Sequence, residues 1–343
     1  MCAERAETPA PQAGTWLDRW WRGEGGAAGV LLDLALFPAE QAFRGASRLY
    51  HTGYDRGWRR VHRPGVPVVS VGNIAVGGTG KTPVSRWLVE ELRRRGARPA
   101  LLHGGYAPDE PALHRAWYPD VPVLVDRDRA RSAAAAERLG ATVLVLDDAF
   151  QHRRLARDLD IVLVAAETWC DRPRLLPRGP WREPPAALAR GAVVIVTRKA
   201  APVEEAERVA AAARRFAPAA IHVRLHLCAA RWVGRGAAAA PAPDGPALAV
   251  AGIAHPDLFV ENAVAAGAKV VATLAFPDHH AYSPGDLARI RRTAAGRPIV
   301  TTAKDAVKLE PLAADLPLWV LEQEVVVEAG GDALMESLDR LIS

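Results

Sequence analysis

Residues 67–96 read PVVSVGNIAVGGTGKTPVSRWLVEELRRRG, and this stretch decides the fold. A β-branched run at 68–71 gives way to a glycine-rich turn, then Gly80-Lys81-Thr82, then a helical pattern that stops at Gly96. Strand, loop and helix in that order are how a phosphate-binding P-loop is built. Gly77, Gly78 and Gly80, with Thr79 among them, let backbone N–H groups converge on phosphate oxygens where a Cβ would obstruct them. The helix N-terminus adds partial positive charge. Lys81 is placed to reach the outer phosphates, and the Thr82 hydroxyl to ligate Mg²⁺. Pro83 comes early in the helix, where its missing N–H costs nothing. The full pattern asks for glycine five positions before Gly80, and Ala75 stands there. The chain holds five lysines against thirty-nine arginines, so a lysine at 81 resists a strong compositional drift. A compact ammonium suits the β/γ-phosphate position better than a planar fork.

Around this stretch the 343 residues are 50% hydrophobic and 24% charged, the composition of a globular protein with a proper core and room for two domains. The net charge of +5 fits acidic partners such as phosphates or an anionic membrane surface. The arginines are scattered and no recognised nucleic-acid module is present, so no nucleic acid is expected as a partner, and no obligate protein partner is evident. Cys2, Cys170 and Cys228 lie far apart and outside metal-ligand spacing, which points to a reducing compartment without disulfides. No cleavable signal peptide is read at the N-terminus. The longest apolar run there, 27–38, is interrupted by Asp33 and is too short to span a bilayer.

Residues 1–14, polar and rich in Pro and Ala, are expected to be a disordered tail. Residues 15–48 form an N-terminal amphipathic helical region that opens on Trp16, Leu17, Arg19, Trp20, Trp21 and Arg22. Tryptophan beside arginine on an apolar helix suits a lipid interface, and equally a helix docked on its own domain with the indoles buried. From 49 to 200, apolar strands at 68–71, 98–102, 121–125, 142–146, 160–165 and 192–197 alternate with helices, while 103–114 and 167–185 read as loops. This predicts an α/β fold: a P-loop NTPase-type parallel sheet with helices on both faces. The organisation shifts near residue 200. Helices at 203–216, 256–266, 285–295 and 331–342, strands at 221–227, 247–251, 269–274 and 298–302, and an Ala/Pro/Gly loop at 234–246 make 201–343 a smaller C-terminal α/β domain.

The chemistry-bearing residues gather at strand ends. TVLVLDD (142–148) is a buried strand closing on Asp147 and Asp148, as a Walker B element does. A carboxylate there faces the P-loop across the C-terminal edge of the sheet and holds Mg²⁺ directly or through water. Asp109 and Glu110 follow the second strand on the same edge. Phosphoryl transfer to a hydroxyl needs a carboxylate to accept its proton, and Asp109 is the first candidate. His279 and His280 follow Asp278, and a histidine paired with a carboxylate relays protons near neutral pH. No further His or Cys stands at ligand spacing from that pair, so no zinc site is expected. Trp169, Arg172, Arg174, Arg178, Trp181, Arg182 and Glu183 crowd one loop. Indole faces stack on sugar or lipid and guanidinium forks pair with phosphate, which suggests an anionic amphiphilic or sugar-phosphate acceptor; a solvated basic loop is the competing view.

Together these pieces resemble one family, the tetraacyldisaccharide 4'-kinases of lipid A assembly. The matching segments are VPVVSVGNIAVGGTGKTP (66–83), DEPAL (109–113), LDDAFQHRRLARDLDIVLV (146–164) and LLPRGPWREP (175–184). AGIAHPDLF (251–259), FPDHHAYS (276–283) and VTTAKDAVKL (300–309) continue the match in the family's order. That family also lacks the first P-loop glycine, so Ala75 fits it. The resemblance implies ATP- and Mg²⁺-dependent transfer of the γ-phosphate to the 4'-hydroxyl of a lipid A disaccharide 1-phosphate, giving lipid IVA. It implies Lys81 and Thr82 as phosphate and Mg²⁺ contacts, Asp109 with His279 as a proton-accepting pair, and Asp147, Asp148 and Glu183 as metal-side acids. It further implies a peripheral enzyme on the cytoplasmic face of the inner membrane, which tips the N-terminal helix toward lipid.

The chain departs from the family pattern in two places. Where the family has an SRGYG-type loop leading to GDEP, this chain has His103-Gly104-Gly105-Tyr106, then Ala107-Pro108 before Asp109. Ala149 stands where the family's DDGFQH motif has glycine. Both changes bear on phosphate contacts and acceptor preference, not on the fold. The rival from another class is a P-loop switch ATPase acting at the membrane without phosphoryl transfer. Such proteins often carry a lysine early in the P-loop, where this chain has Val76.

Overall fold

The computed structural model describes residues 16–21, 23–105, 108–170, 173–234, 239–253, 255–313 and 315–343. The tail expected at 1–14, and Tyr106, Ala107 and Arg172 of the loops named above, lie outside the described residues. Two helices lead, α1 (Trp16–Trp21) and α2 (Gly26–Asp55). Then come β1 (Val68–Asn73), α3 (Lys81–Arg94), β2 (Pro99–His103), α4 (Asp109–Trp117), β3 (Val123–Val125), α5 (Arg129–Arg138) and β4 (Val143–Asp147). They are followed by β5 (Leu159–Ala165), β6 (Val193–Arg198) and α6 (Val203–Phe216). The remainder is β7 (Ile221–Val233), β8 (Ala239–Ala240), β9 (Pro246–Ala251), α7 (Pro256–Ala265), β10 (Lys269–Ala275) and α8 (Pro284–Ala294). Last are β11 (Ile299–Thr302), α9 (Ala303–Leu309), β12 (Leu318–Ala329) and α10 (Gly331–Ile342).

Twelve strands form one sheet in the order β10-β9-β11-β12-β7-β6-β5-β1-β4-β2-β3, with β8 beside β7. Neighbours from β3 to β7 all run parallel, as do those from β12 to β10. The joint between the two sets, β7 against β12, is antiparallel. That one reversal positions the site. β7 pairs with β6 over its first half, then continues past the C-terminal edge of the first set to meet the start of β12 at Val233–Val320. β12 starts beside β11 in the second set and runs back to Arg224. The strands of the second set therefore point at those of the first, and two C-terminal edges face each other across a cleft. In α/β folds that edge is where ligands bind.

The central strands are apolar throughout. β1 and β4 are buried at every residue, the mark of a parallel strand covered on both faces. α10 follows the second set in the chain, yet its Leu334 and Leu338 are fully buried among Val69, Leu88 and Leu225 of the first. The stretch 103–114, expected to be a loop, instead contains the start of α4. Asp109 and Glu110 occupy its first turn, where carboxylates suit the helix dipole and Pro111 is tolerated.

α2 runs past the end expected at 48 and has two unlike sides. On one, Asp33 Oδ2 lies 2.6 Å from Arg174 Nη1, and Glu40 Oε2 lies 2.7 Å from Arg178 Nη1. Away from it, Val30, Leu31 and Leu34 are 60–69% exposed at helical spacing. Trp20 folds back between α1 and α2 and donates from Nε1 to the Gly29 carbonyl at 3.1 Å. Trp16 stacks on it at 6.0 Å and stays 43% exposed. Trp20 is thus buried on its own domain, and Trp16 is left open to its surroundings. Among the described residues no helix is long and apolar enough to cross a membrane.

Candidate active site

The P-loop follows β1. Asn73 Nδ2 donates to Thr79 Oγ1 at 2.8 Å, which ties the turn to the strand. Gly80 adopts φ 87°, and a Cβ built there would stand 2.2 Å from Leu227 Cδ1. Only glycine fits that point, where β7 crosses the helix start. Lys81 and Thr82 open α3. Lys81 Nζ lies 3.7 Å from Asp148 Oδ1, and Lys199 Nζ donates to the Gly78 carbonyl at 2.8 Å.

The two aspartates that close β4 part company. Asp148 takes φ 50°, an uncommon conformation for a residue with a Cβ, and its carboxylate meets Lys81 and Arg182 Nη1, the latter at 2.9 Å. Asp147 turns inward. Its Oδ1 accepts from Ser85 Oγ at 3.1 Å, while its Oδ2 lies 3.6 Å from His103 Nδ1 and 3.7 Å from His114 Nε2. Burial opposes the Asp147 charge, but His114, His103 and Lys81 together hold its carboxyl well below the usual range. Burial pushes the His103 imidazole down to about 4.

The first turn of α4 meets the second set of strands. His279 Nδ1 is 2.9 Å from both oxygens of Asp109, across 170 residues of chain. An ionised carboxylate only accepts, so the hydrogen of this bond sits on Nδ1. Asp109 itself is 5% exposed, and Lys308 Nζ stands 3.9 Å from it. His279, at φ 58°, is the second strained residue of the cleft. Glu110 Oε1 accepts from Thr82 Oγ1 at 3.3 Å and from Lys304 Nζ at 3.0 Å. Burial works against the charge on Lys304, yet Glu110, with Asp109 and Asp278 beyond it, raises its pKa. Thr82, Glu110 and Asp148 offer oxygen donors alone, the ligand chemistry of a hard cation.

Glu183 stands further back. Arg190 reaches it at 2.6 Å, His51 Nε2 at 3.1 Å and Gln151 Nε2 at 3.0 Å. Burial raises its pKa, but His51 and Arg190 overcome that and hold it at about 2. Arg182 and Gln151, 3.4 Å apart, link Glu183 to Asp148. His280 turns away to Asp286 at 3.1 Å and stacks on Phe276. The 167–185 loop also differs from its expected role. Trp181 is buried, and Arg174 and Arg178 pair with Asp33 and Glu40 of α2, while Arg182 of the same loop reaches Asp148.

Sequence reasoning missed Lys199, Lys304, Lys308 and Ser85 at this cleft. A signal for the lysines was present. In a chain that uses arginine almost everywhere, Lys81, Lys199, Lys304 and Lys308 are four of only five lysines.

A phosphate loop beside its acid, with a carboxylate on its own half engaged by a histidine from the opposite strands, defines a P-loop phosphotransferase; the site, not the fold alone, separates it from a simple nucleotide binder. The comparisons narrow the class. The family model described as tetraacyldisaccharide-1-P 4'-kinase matches residues 32–108 and 107–343. A curated tetraacyldisaccharide 4'-kinase from Anaeromyxobacter dehalogenans is 41% identical, over 93% of this chain and 93% of that relative. One from Halorhodospira halophila is 38% identical over 89% and 91%. The solved structure of LpxK from Aquifex aeolicus in complex with ATP superposes with a TM-score of 0.75 at 26% identity, covering 91% of this chain and all of that one. The chain belongs to the tetraacyldisaccharide-1-P 4'-kinase family.

Proposed function

We propose that this chain transfers the γ-phosphate of ATP to the 4'-hydroxyl of tetraacyldisaccharide 1-phosphate, forming lipid IVA and ADP. The observation that carries this reading is the 2.9 Å contact of Asp109 with His279 in the cleft that holds Lys81. A switch that only hydrolyses nucleotide has no need of a carboxylate offered from that side, and no observation favours that rival. The ATP held by the Aquifex aeolicus structure supports the choice of nucleotide.

Backbone N–H groups of residues 77–82 and the Lys81 ammonium cradle the β/γ-phosphates. Thr82 and Asp148 would hold Mg²⁺ with Glu110 in reach, and Asp147 and Glu183 act from behind them. When bound, the ion offsets charge on the phosphates. Asp109 accepts the proton of the acceptor hydroxyl as its oxygen bonds to the γ-phosphorus and the bridge to ADP breaks. His279 fixes the Asp109 carboxylate through Nδ1–H. The rest is positioning and charge. The expected division into 49–200 and 201–343 shifts: α6, β7 and α10 pack with the P-loop strands, so the two units that close on the cleft about the β7–β12 joint are the first set of strands with those elements and the second set with α7 to α9. The exposed side of α2 rests on the cytoplasmic face of the inner membrane, where the lipid substrate lies. Neither nucleic acid nor an obligate protein partner enters this scheme.

Asp109→Ala is expected to lower turnover by about 10² or more while leaving ATP affinity unchanged, the scale of a lost proton acceptor. Lys81→Met should abolish transfer. Both are read by steady-state kinetics and calorimetric ATP titration. Unchanged turnover in the Asp109 variant would remove that residue from the mechanism.

A further inference from the structure

Beneath the P-loop, three side chains from three elements converge: His103 at the end of β2, His114 within α4, and Asp147 at the end of β4. Their side chains are 5%, 0% and 1% exposed. One ligand atom from each lies within 4.8 Å of the others, and both imidazoles face the same oxygen, Asp147 Oδ2. Asp147 Oδ1 is hydrogen-bonded, but four other polar atoms of the trio are not. His103 Nε2, both nitrogens of His114 and Asp147 Oδ2 are buried without a hydrogen-bond partner. Buried polar atoms left this way are uncommon and costly.

The spacing suggests what is missing. Nitrogen and oxygen ligands at zinc bond lengths sit about 3.3 Å apart in a tetrahedral shell. The separations of 3.6 and 3.7 Å from Asp147 Oδ2 exceed a hydrogen bond and come within a few tenths of that value, while the three ligand atoms together span up to 4.8 Å, so a bound ion would draw the two imidazoles toward each other. Two imidazoles and one carboxylate are also the ligand chemistry of zinc-class ions rather than of magnesium. The carboxylate is held in orientation from behind. Ser85 Oγ and the Asp148 N–H donate to Oδ1 at 3.1 and 3.0 Å, and Arg129 Nη2 donates to the Asp147 carbonyl at 3.0 Å. Such outer contacts are what fix a ligand in a metal shell.

We propose that His103, His114 and Asp147 bind one divalent transition-metal ion of the zinc class, distinct from the ion that accompanies the nucleotide. The site ties α4 to β2 and β4. α4 carries Asp109 and Glu110 in its first turn, so the tie fixes the end of the helix that faces the nucleotide. Positive charge from Arg129 beside His103 and from Lys81 beside Asp147 works against cation binding there.

The test uses the full chain, stripped with chelator and then equilibrated overnight with Zn²⁺ or Co²⁺ while Mg²⁺ and ADP saturate the nucleotide site. One ion per chain is expected by elemental analysis, with a four-coordinate Co²⁺ band in the visible spectrum and a raised melting temperature. His114→Leu, which removes the ligand atom while keeping much of the volume, and His103→Gln should each weaken binding by about 100-fold or more. Absence of saturable binding in the unaltered chain overturns the proposal and leaves His103 packed on His114, and His114 on Trp117, as ring contacts alone. Unchanged affinity in either folded variant overturns it as well. Because no readout depends on kinase turnover, the outcome is independent of the phosphotransfer reading.

Discussion

Asp148 and His279 hold left-handed backbone at φ 50° and 58°, which costs residues with a Cβ roughly 1–2 kcal/mol each. Both stand in the cleft, one on each wall, and each aims a side chain at a charged partner. Gly80 meets the opposite condition, since its φ of 87° and the 2.2 Å approach to Leu227 leave no room for a side chain. Gly80→Ala is expected to cost about 2 kcal/mol in urea unfolding and to abolish calorimetric ATP binding; intact binding would show that β7 does not brace the P-loop. At this scale the phosphate loop was legible because its chemistry is contiguous. The lysines were half legible, through their scarcity. The Asp109–His279 contact spans 170 residues, and no local pattern forecasts it. His103 and His114 likewise meet only through the fold, one ending β2 and the other on α4, with ring centroids 5.1 Å apart.

Among the elements, the apolar strands of the first set were plain, since burial on both faces leaves uninterrupted Val/Leu/Ile runs. α4, α9 and β12 were not. α4 begins on Asp-Glu-Pro, which reads as a turn until the helix dipole is considered. β12 carries Glu322, Gln323 and Glu324 at its centre, where it crosses between the two sets of strands, and that polarity hides a strand. α10 shows how chain order misleads. Its Leu334 and Leu338 are fully buried in the core around β1 and α3 rather than beside β11. Leu338→Ala should therefore destabilise the P-loop half by about 2–5 kcal/mol. Hydrogen exchange would locate the loss in β1 and α3. A loss confined to β9–β11 would contradict this packing.

For the whole molecule, one antiparallel joint turns two parallel sets of strands edge to edge, and the cleft follows from that reversal. α2 adds a separate surface. Leu31 and Leu34 are each 69% exposed, so replacing both with aspartate touches no core. The double variant is expected to melt at an unchanged temperature and to bind anionic vesicles at least about 10-fold more weakly in sedimentation. Unchanged vesicle binding would move the lipid contact elsewhere. The central claim is that one cleft gathers a triphosphate and a lipid-borne sugar hydroxyl. It is tested most directly by supplying ATP labelled in its γ-phosphate together with tetraacyldisaccharide 1-phosphate and following the label. Transfer of the label to the lipid is the predicted result; label recovered only as free phosphate would contradict it.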